Sequence, residues 1–342
     1  MSRFERPAPV PALPGGLASV PRSRADLPPP APTAESATRP RAGVICNPRS
    51  HLNRRAEIAG AVPAENAILA APRTHGELAA TLSEFAARGI DLLVIDGGDG
   101  TVRDVLSAAA EAFGDDLPQV AVLPTGKTNA LALDLGLPAG WSLHDALEAA
   151  RTGGIRRRAP IVITRAGSAL AQRGFLFGAG AFVRASALAQ RTHSVGAFNG
   201  FAVALAIVWG ILQSLFGRAT GEWRRGDAMR IALPGEDATE CNRYFLMGST
   251  LEHLPLGVRP LGPRRPGLKL LNVDSPARRL LFAVVPILFG RTGGWLARNG
   301  YRHADVTTMS LTLDADYILD GEVYPGGALS VAAGTPIAFV VP

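Results

Sequence analysis

Lysine is nearly missing from this chain: Lys127 and Lys269 are the only lysines among 35 basic residues in 342. The arginine excess goes with Ala and Gly richness and reads mainly as codon bias, which leaves the two lysines to be weighed one by one. Cysteine is equally scarce. Cys46 and Cys241 are too few and too far apart in sequence for a disulfide framework or a zinc motif, so a reducing cytoplasm is the simple expectation. The first 41 residues lack the apolar core of a secretory signal; they are rich in Pro, Ala and Arg without periodicity, which predicts a disordered tail. Aromatics make up 6 %, and no basic stripe with interleaved aromatics occurs, so no nucleic acid is expected as a partner. The formal net charge of +6 then points to an anionic membrane surface.

What is present suffices for packed cores, since 47 % of the residues are apolar. At about 100–200 residues per domain, the length predicts two domains. Residues 42–158 read as a nucleotide-binding α/β domain and 159–342 as a β-rich domain, after the tail 1–41. Ala42–Cys46 predicts a strand that runs into Asn47-Pro48-Arg49-Ser50, and Ala67–Ala70 predicts a second. Thr74, with Glu77 three residues on, opens a helix by a capping pattern, and Leu78, Leu82 and Phe85 keep helical spacing. Asp91–Ile95 and Gln119–Leu123 are short continuous apolar runs, as buried parallel strands are. Each ends in a loop and a helix. The repetition predicts a doubly wound layer with its ligand at the carboxyl ends of the strands. Beyond residue 158, short strands with Gly/Pro punctuation, from Ala159–Thr164 to Pro336–Val340, predict an antiparallel layer.

The loops carry the chemistry. Gly97, Gly98 and Gly100 sit between a strand and a helix, where bare backbone can approach an anion and the helix N-terminus favours it. Asp99 inside such a loop suits a metal-linked phosphate contact, and Thr101 closes the loop. Gly126-Lys127-Thr128-Asn129 ends the next strand; Lys127 would place a point charge beside phosphate. A Walker loop is rejected, because Ala121 stands where its first glycine is required. Asp320-Gly321-Glu322 offers two carboxylates at a turn after the strand Tyr317–Leu319; on spacing alone it reads as a hairpin.

In order along the chain, Asn47-Pro48-Arg49-Ser50, Thr74, Gly97–Thr101, the loop Pro124–Asn129 and Asp320-Gly321-Glu322 resemble the diacylglycerol kinase catalytic family, which includes sphingosine and ceramide kinases and bacterial soluble lipid kinases. The resemblance implies an N-terminal α/β domain, a C-terminal antiparallel β-sandwich and ATP in the cleft between them. It implies transfer of the γ-phosphoryl group to a lipid hydroxyl on diacylglycerol, ceramide or a sphingoid base. Asn47, Pro48, Arg49, Ser50, Thr74 and the two glycine loops would bind the nucleotide. Asp320 or Glu322 would be the general base, and Asp99, Asp320 and Glu322 would meet Mg2+. An enzyme of this kind would work on the inner face of the membrane, and a homodimer stays open. An NAD kinase-like enzyme and a nucleotide- or lipid-binding pseudokinase are the competing readings.

The departures matter. Lys127 stands where the family usually has Thr, and Ala130 where many relatives have Asp. Relatives often hold a structural metal through an acidic pair before the strand Leu268–Asn272, whereas this chain has Arg264-Arg265-Pro266-Gly267. Two apolar segments interrupt the second domain. Phe198–Gly217 holds 20 residues without a charge and reads as a buried helix, a helix dipping into lipid or, least, a span; Trp209 and Trp223 would sit near the headgroups, and Arg218, Arg224 and Arg225 would meet anionic lipid. Leu280–Phe289, with Trp295 and flanking Arg278, Arg279 and Arg291, would extend that surface.

Overall fold

The computed structural model describes residues 40–47, 67–114, 116–168, 170–193 and 225–342. The expectations for the tail, for Pro48-Arg49-Ser50 and for Phe198–Gly217 lie outside these residues.

The first layer is a six-stranded sheet. Its strands are β1 (Ala42–Cys46), β2 (Ala67–Ala70), β3 (Leu92–Gly97), β4 (Gln119–Pro124), β5 (Ile155–Arg158) and β17 (Ile337–Val340), in the spatial order β2-β1-β3-β4-β17-β5. Strands β1 to β4 run parallel. The continuous apolar runs of β3 and β4 are explained by covering on both faces. Leu93 and Ile95 pack with Leu82 and Phe85 of α1 (His75–Ala87) and with Val105 and Leu106 of α2 (Asp99–Phe113). Leu92 and Val94, one residue out of phase, pack on the opposite face with Trp141 and with Leu143 and Ala146 of α4 (Leu143–Thr152). Between these in the chain lies α3 (Ala130–Leu135), and α5 (Ala181–His193) follows α4.

The second layer is one branched antiparallel sheet of eleven strands, β6 (Ile161–Arg165) to β16 (Gly327–Ala333). The long strand β10 (Thr239–Ser249) is the branch point, pairing with β8 (Leu176–Gly180), β9 (Asp227–Ala232) and β11 (Leu268–Asp274). Alternate residues form its core: Met229 and Ile231 meet Leu311, Leu313, Leu329 and Val331.

One expectation is corrected. Pro336–Val340 was assigned to the antiparallel domain, but β17 leaves that layer and lies parallel to β4 and antiparallel to β5. Phe339 and Val340 then enter the two cores on either side of the first sheet. The short apolar run says which residues seek a core, not which core. The segment beginning at residue 159 therefore returns its last strand to the first sheet.

Candidate active site

The two glycine loops meet backbone to backbone at the carboxyl ends of β3 and β4. A Cβ built on Gly98 would stand 2.9 Å from the Gly126 Cα, and one on Gly126 would stand 2.3 Å from the Gly98 Cα. Side chains there would force the loops apart. Asn129, in the left-handed region at φ 49, holds the second loop: its amide nitrogen donates to the Gly126 carbonyl at 2.8 Å and its oxygen accepts from the Gly126 N–H at 3.1 Å. Thr125 fixes the loop to its neighbour by donating to the buried Asp96 at 2.8 Å. Asn47 donates to the Thr101 hydroxyl at 2.8 Å, joining the end of β1 to the first turn of α2.

Asp99 is placed differently from the phosphate contact expected of it. Its two carboxylate oxygens accept the leading amides of α3, Ala130 at 2.9 Å and Leu131 at 3.2 Å. Asn129 provides no side-chain cap for that helix, so Asp99 does so from across the cleft. Burial raises the Asp99 pKa above the usual carboxylate value, while these amides oppose the rise. Thr74 acts as the N-cap of α1, accepting the Glu77 N–H at 3.1 Å, and does not line the cleft.

The opposite wall comes from the second layer. Strands β14 (Tyr317–Leu319) and β15 (Glu322–Tyr324) form a hairpin whose two-residue turn is Asp320-Gly321, both with positive φ. The turn reading and the family reading are thus the same object. The Asp320 carboxylate is tucked under the turn, accepting the Phe175 N–H at 3.0 Å and the Leu176 N–H at 2.9 Å. Burial, and then the neighbouring Asp99 charge, push its pKa up to about 7. Glu322, two residues on, is exposed and lines the cleft.

Arg103, which the motif reading missed, joins the walls. It is buried, donates to the Leu319 carbonyl at 3.2 Å and to Asp104 at 2.8 Å, and lies 5.7 Å from the centre of the Tyr324 ring. One helical turn beyond Asp99, it was hidden among many arginines; its partner is 216 positions away, so no local signal marked it.

Asn47, Gly98, Gly100, Thr101, Arg103, Asp104, Gly126, Lys127 and Glu322 line an open cavity of about 330 Å³, together with Thr125. Gly97 lies just beneath, packed on Thr101, and Thr128 is exposed outside the lining. The first amides of the fifteen-residue α2 have no partners within that helix, and Gly98 gives no side-chain cap. With Lys127 and Arg103 beside them, these amides give one side of the cavity the chemistry that suits an anion such as phosphate, facing Asp104 and Glu322 on the lining.

The fit to metal is narrower. Among the described residues no group of three or more His, Cys, Asp or Glu side chains is gathered as a metal cage. Asp99 and Asp320 are both engaged by backbone amides, which leaves Asp104 and Glu322 as the carboxylates facing the cavity. That suits an ion held largely by nucleotide phosphates. The structural metal of the resembled family finds no donors before β11. There the Lys269 ammonium, buried, donates to the carbonyls of Arg265 at 2.8 Å and Gly267 at 3.2 Å, so a tethered cation already uses them.

Comparison with known proteins agrees with this geometry. Residues 41–162 match the family model described as the diacylglycerol kinase catalytic domain. A stretch of 78 residues is 35% identical to Probable lipid kinase YegS of Shigella flexneri, covering 23% of this chain and 25% of that protein. The protein of the same name from Escherichia coli O157:H7 gives the same figures. The chain thus spans about a quarter of the length of the curated relatives it matches. A crystal structure of a diacylglycerol kinase from Bacillus anthracis str. Sterne shares the fold, with a TM-score of 0.58 at 14% identity over 88% of this chain and 97% of that one. A second structure from the same organism gives 0.61 at 18% with the same coverage. Residues 41–162 are thus similar to the diacylglycerol kinase catalytic domain, and the chain as a whole shares the fold of the two Bacillus anthracis structures.

Proposed function

We propose that the protein is a lipid kinase that moves the γ-phosphoryl group of ATP to a lipid hydroxyl, with diacylglycerol as the first acceptor to test and ceramide or a sphingoid base next. The observation that carries this reading is Glu322. A carboxylate delivered by the second layer lines the same cavity as the amide end of α2 and Lys127. An anion site and a base on facing walls are what phosphoryl transfer to an alcohol requires.

In this reading the nucleotide phosphates lie against the amides of Gly98, Gly100 and Thr101, with Lys127 and Arg103 supplying positive charge. Glu322 takes the proton of the lipid hydroxyl as its oxygen forms a bond to the γ-phosphorus and the bond to the ADP oxygen breaks. In this reading Asp320, which accepts the amides of Phe175 and Leu176, positions the turn, and Glu322 acts as the base; those two hydrogen bonds support the assignment. Arg103 keeps the hairpin against α2. Magnesium, when bound with ATP, would neutralise charge on the phosphate oxygens; Asp104 would hold it, which leaves Glu322 to act as the base.

The test is a panel. The protein is incubated with labelled ATP and magnesium against dioctanoylglycerol, ceramide, sphingosine and NAD. Label is expected on a lipid acceptor and not on NAD. Label on NAD alone, or bound ATP with no transfer to any acceptor, would replace this reading by one of the two alternatives.

A further inference from the structure

Of the ten large hydrophobic side chains exposed among the described residues, four belong to one short element. Helix α6 (Leu280–Leu288) and its C-cap expose Leu281, Phe282, Val285 and Phe289, with Phe282 at 72% and Phe289 at 77%. At about 100° per residue these four fall on one side of the helix, within an arc of roughly 100°. Ala283 and Ile287 fall on the other side and are buried in the cluster that also holds the core face of α2. The helix is therefore anchored by one face and offers the other to the outside. A contiguous apolar face of this kind marks a contact surface.

Charge identifies the partner. Residues 253–304 contain nine Lys and Arg and a single acid, Asp274. Asp274 is itself paired with Arg243 and Arg302. Arg278 and Arg279 precede the exposed face, Arg291 follows it, and all three are exposed. An apolar strip whose nearest charges along the chain are all arginine complements a layer that is apolar below and anionic above. No helix among the described residues is long and apolar enough to cross a membrane, and α6 has nine residues, so it would lie in the interface.

We propose that α6 docks the protein on an anionic lipid bilayer. Leu281, Phe282, Val285 and Phe289 enter the boundary between headgroups and acyl chains, and Arg278, Arg279 and Arg291 meet the lipid phosphates. The biological sense of this docking rests on the lipid-kinase reading; its geometry does not.

The test sediments the full chain with vesicles of phosphatidylcholine alone and of phosphatidylcholine with phosphatidylglycerol. Binding is expected to the anionic vesicles and to weaken with salt. The double variant Phe282→Ser/Phe289→Ser should lose about tenfold or more in vesicle affinity. Each of Arg278→Gln, Arg279→Gln and Arg291→Gln should lose up to about fivefold and flatten the salt dependence. These side chains are exposed, so unchanged thermal melts are expected to show that the variants fold. Absence of binding by the unaltered chain, or equal binding by the double variant, overturns the proposal. So does a vesicle-free dimer that the double variant dissolves, which would assign the face to a second copy. Transfer to water-dispersed dioctanoylglycerol separates the two claims. If the unaltered chain transfers label without binding vesicles, docking fails and the kinase reading stands; if it binds vesicles by α6 without transfer, the reverse holds.

Discussion

Gly98 and Gly126 touch through their backbones, with only 2.3 Å between the Gly98 Cα and a Cβ built on Gly126. The contact fixes the spacing of the two loops that frame the anion site. Gly126→Ala should therefore cost about 1–3 kcal/mol of stability and abolish ATP binding. Gly100, in the first turn of α2, is the control: a Cβ there meets nothing nearer than the Arg103 side chain at 3.9 Å. Gly100→Ala should hold or raise stability by up to about 1 kcal/mol while weakening ATP, because the methyl enters the cavity lining. Thermal melts and ATP titrations of both variants check this; a Gly126→Ala protein that melts and binds like the unaltered chain would contradict it.

Asp99 serves the helix opposite before it serves any ligand. Asp99→Ala leaves the amides of Ala130 and Leu131 unpaired and should cost about 1–2 kcal/mol. Asp99→Asn keeps one acceptor and should lose less. Urea unfolding measures both, and no loss in either would sink the capping role.

Asp320 gives the cleft a pH dependence of stability. Its carboxyl titrates near 7 in the fold against 3.8 when exposed, so between those values the folded chain holds the extra proton. Its contribution is thus complete below about 3.8 and fades as pH rises through 7. The gap amounts to roughly 4 kcal/mol, an upper figure for a single group. Unfolding free energies from pH 4 to 8 should fall less steeply for Asp320→Asn than for the unaltered chain. Parallel curves would show that the carboxyl titrates normally.

The fold was readable where its causes are local. Strands β3 and β4 are covered on both faces, and that alone makes their runs apolar. Strand β5 was not read, because Arg156, Arg157 and Arg158 mask an edge position with a polar appearance. Strand β12 (Tyr301–Val306) was missed for a similar reason, since Tyr301 is its only buried residue. The glycine loops were legible because close backbone approach demands glycine at fixed spacing. That Asp320 is held by backbone amides while Glu322 faces the cavity was not, because it depends on Phe175 and Leu176, about 145 positions away.

Lys269 predicts how the protein responds to chelators. Its ammonium holds the carbonyls of Arg265 and Gly267 in a buried position, where burial, and then Arg265, bring its pKa down to about 8. Without nucleotide, EDTA should leave the melting temperature unchanged. Lys269→Met should cost about 1–3 kcal/mol by stranding the two carbonyls. A melting temperature lowered by EDTA and restored by magnesium would show that a divalent ion is held there after all.

The central claim is that Glu322 is the base of a phosphoryl transfer to lipid. Initial rates of label transfer from ATP to dioctanoylglycerol, measured side by side for the unaltered chain and Glu322→Gln, test it most directly. The account predicts transfer by the unaltered chain and a loss of about 100-fold or more in kcat for Glu322→Gln, with ATP affinity within a few-fold. Equal rates for the two proteins would contradict it.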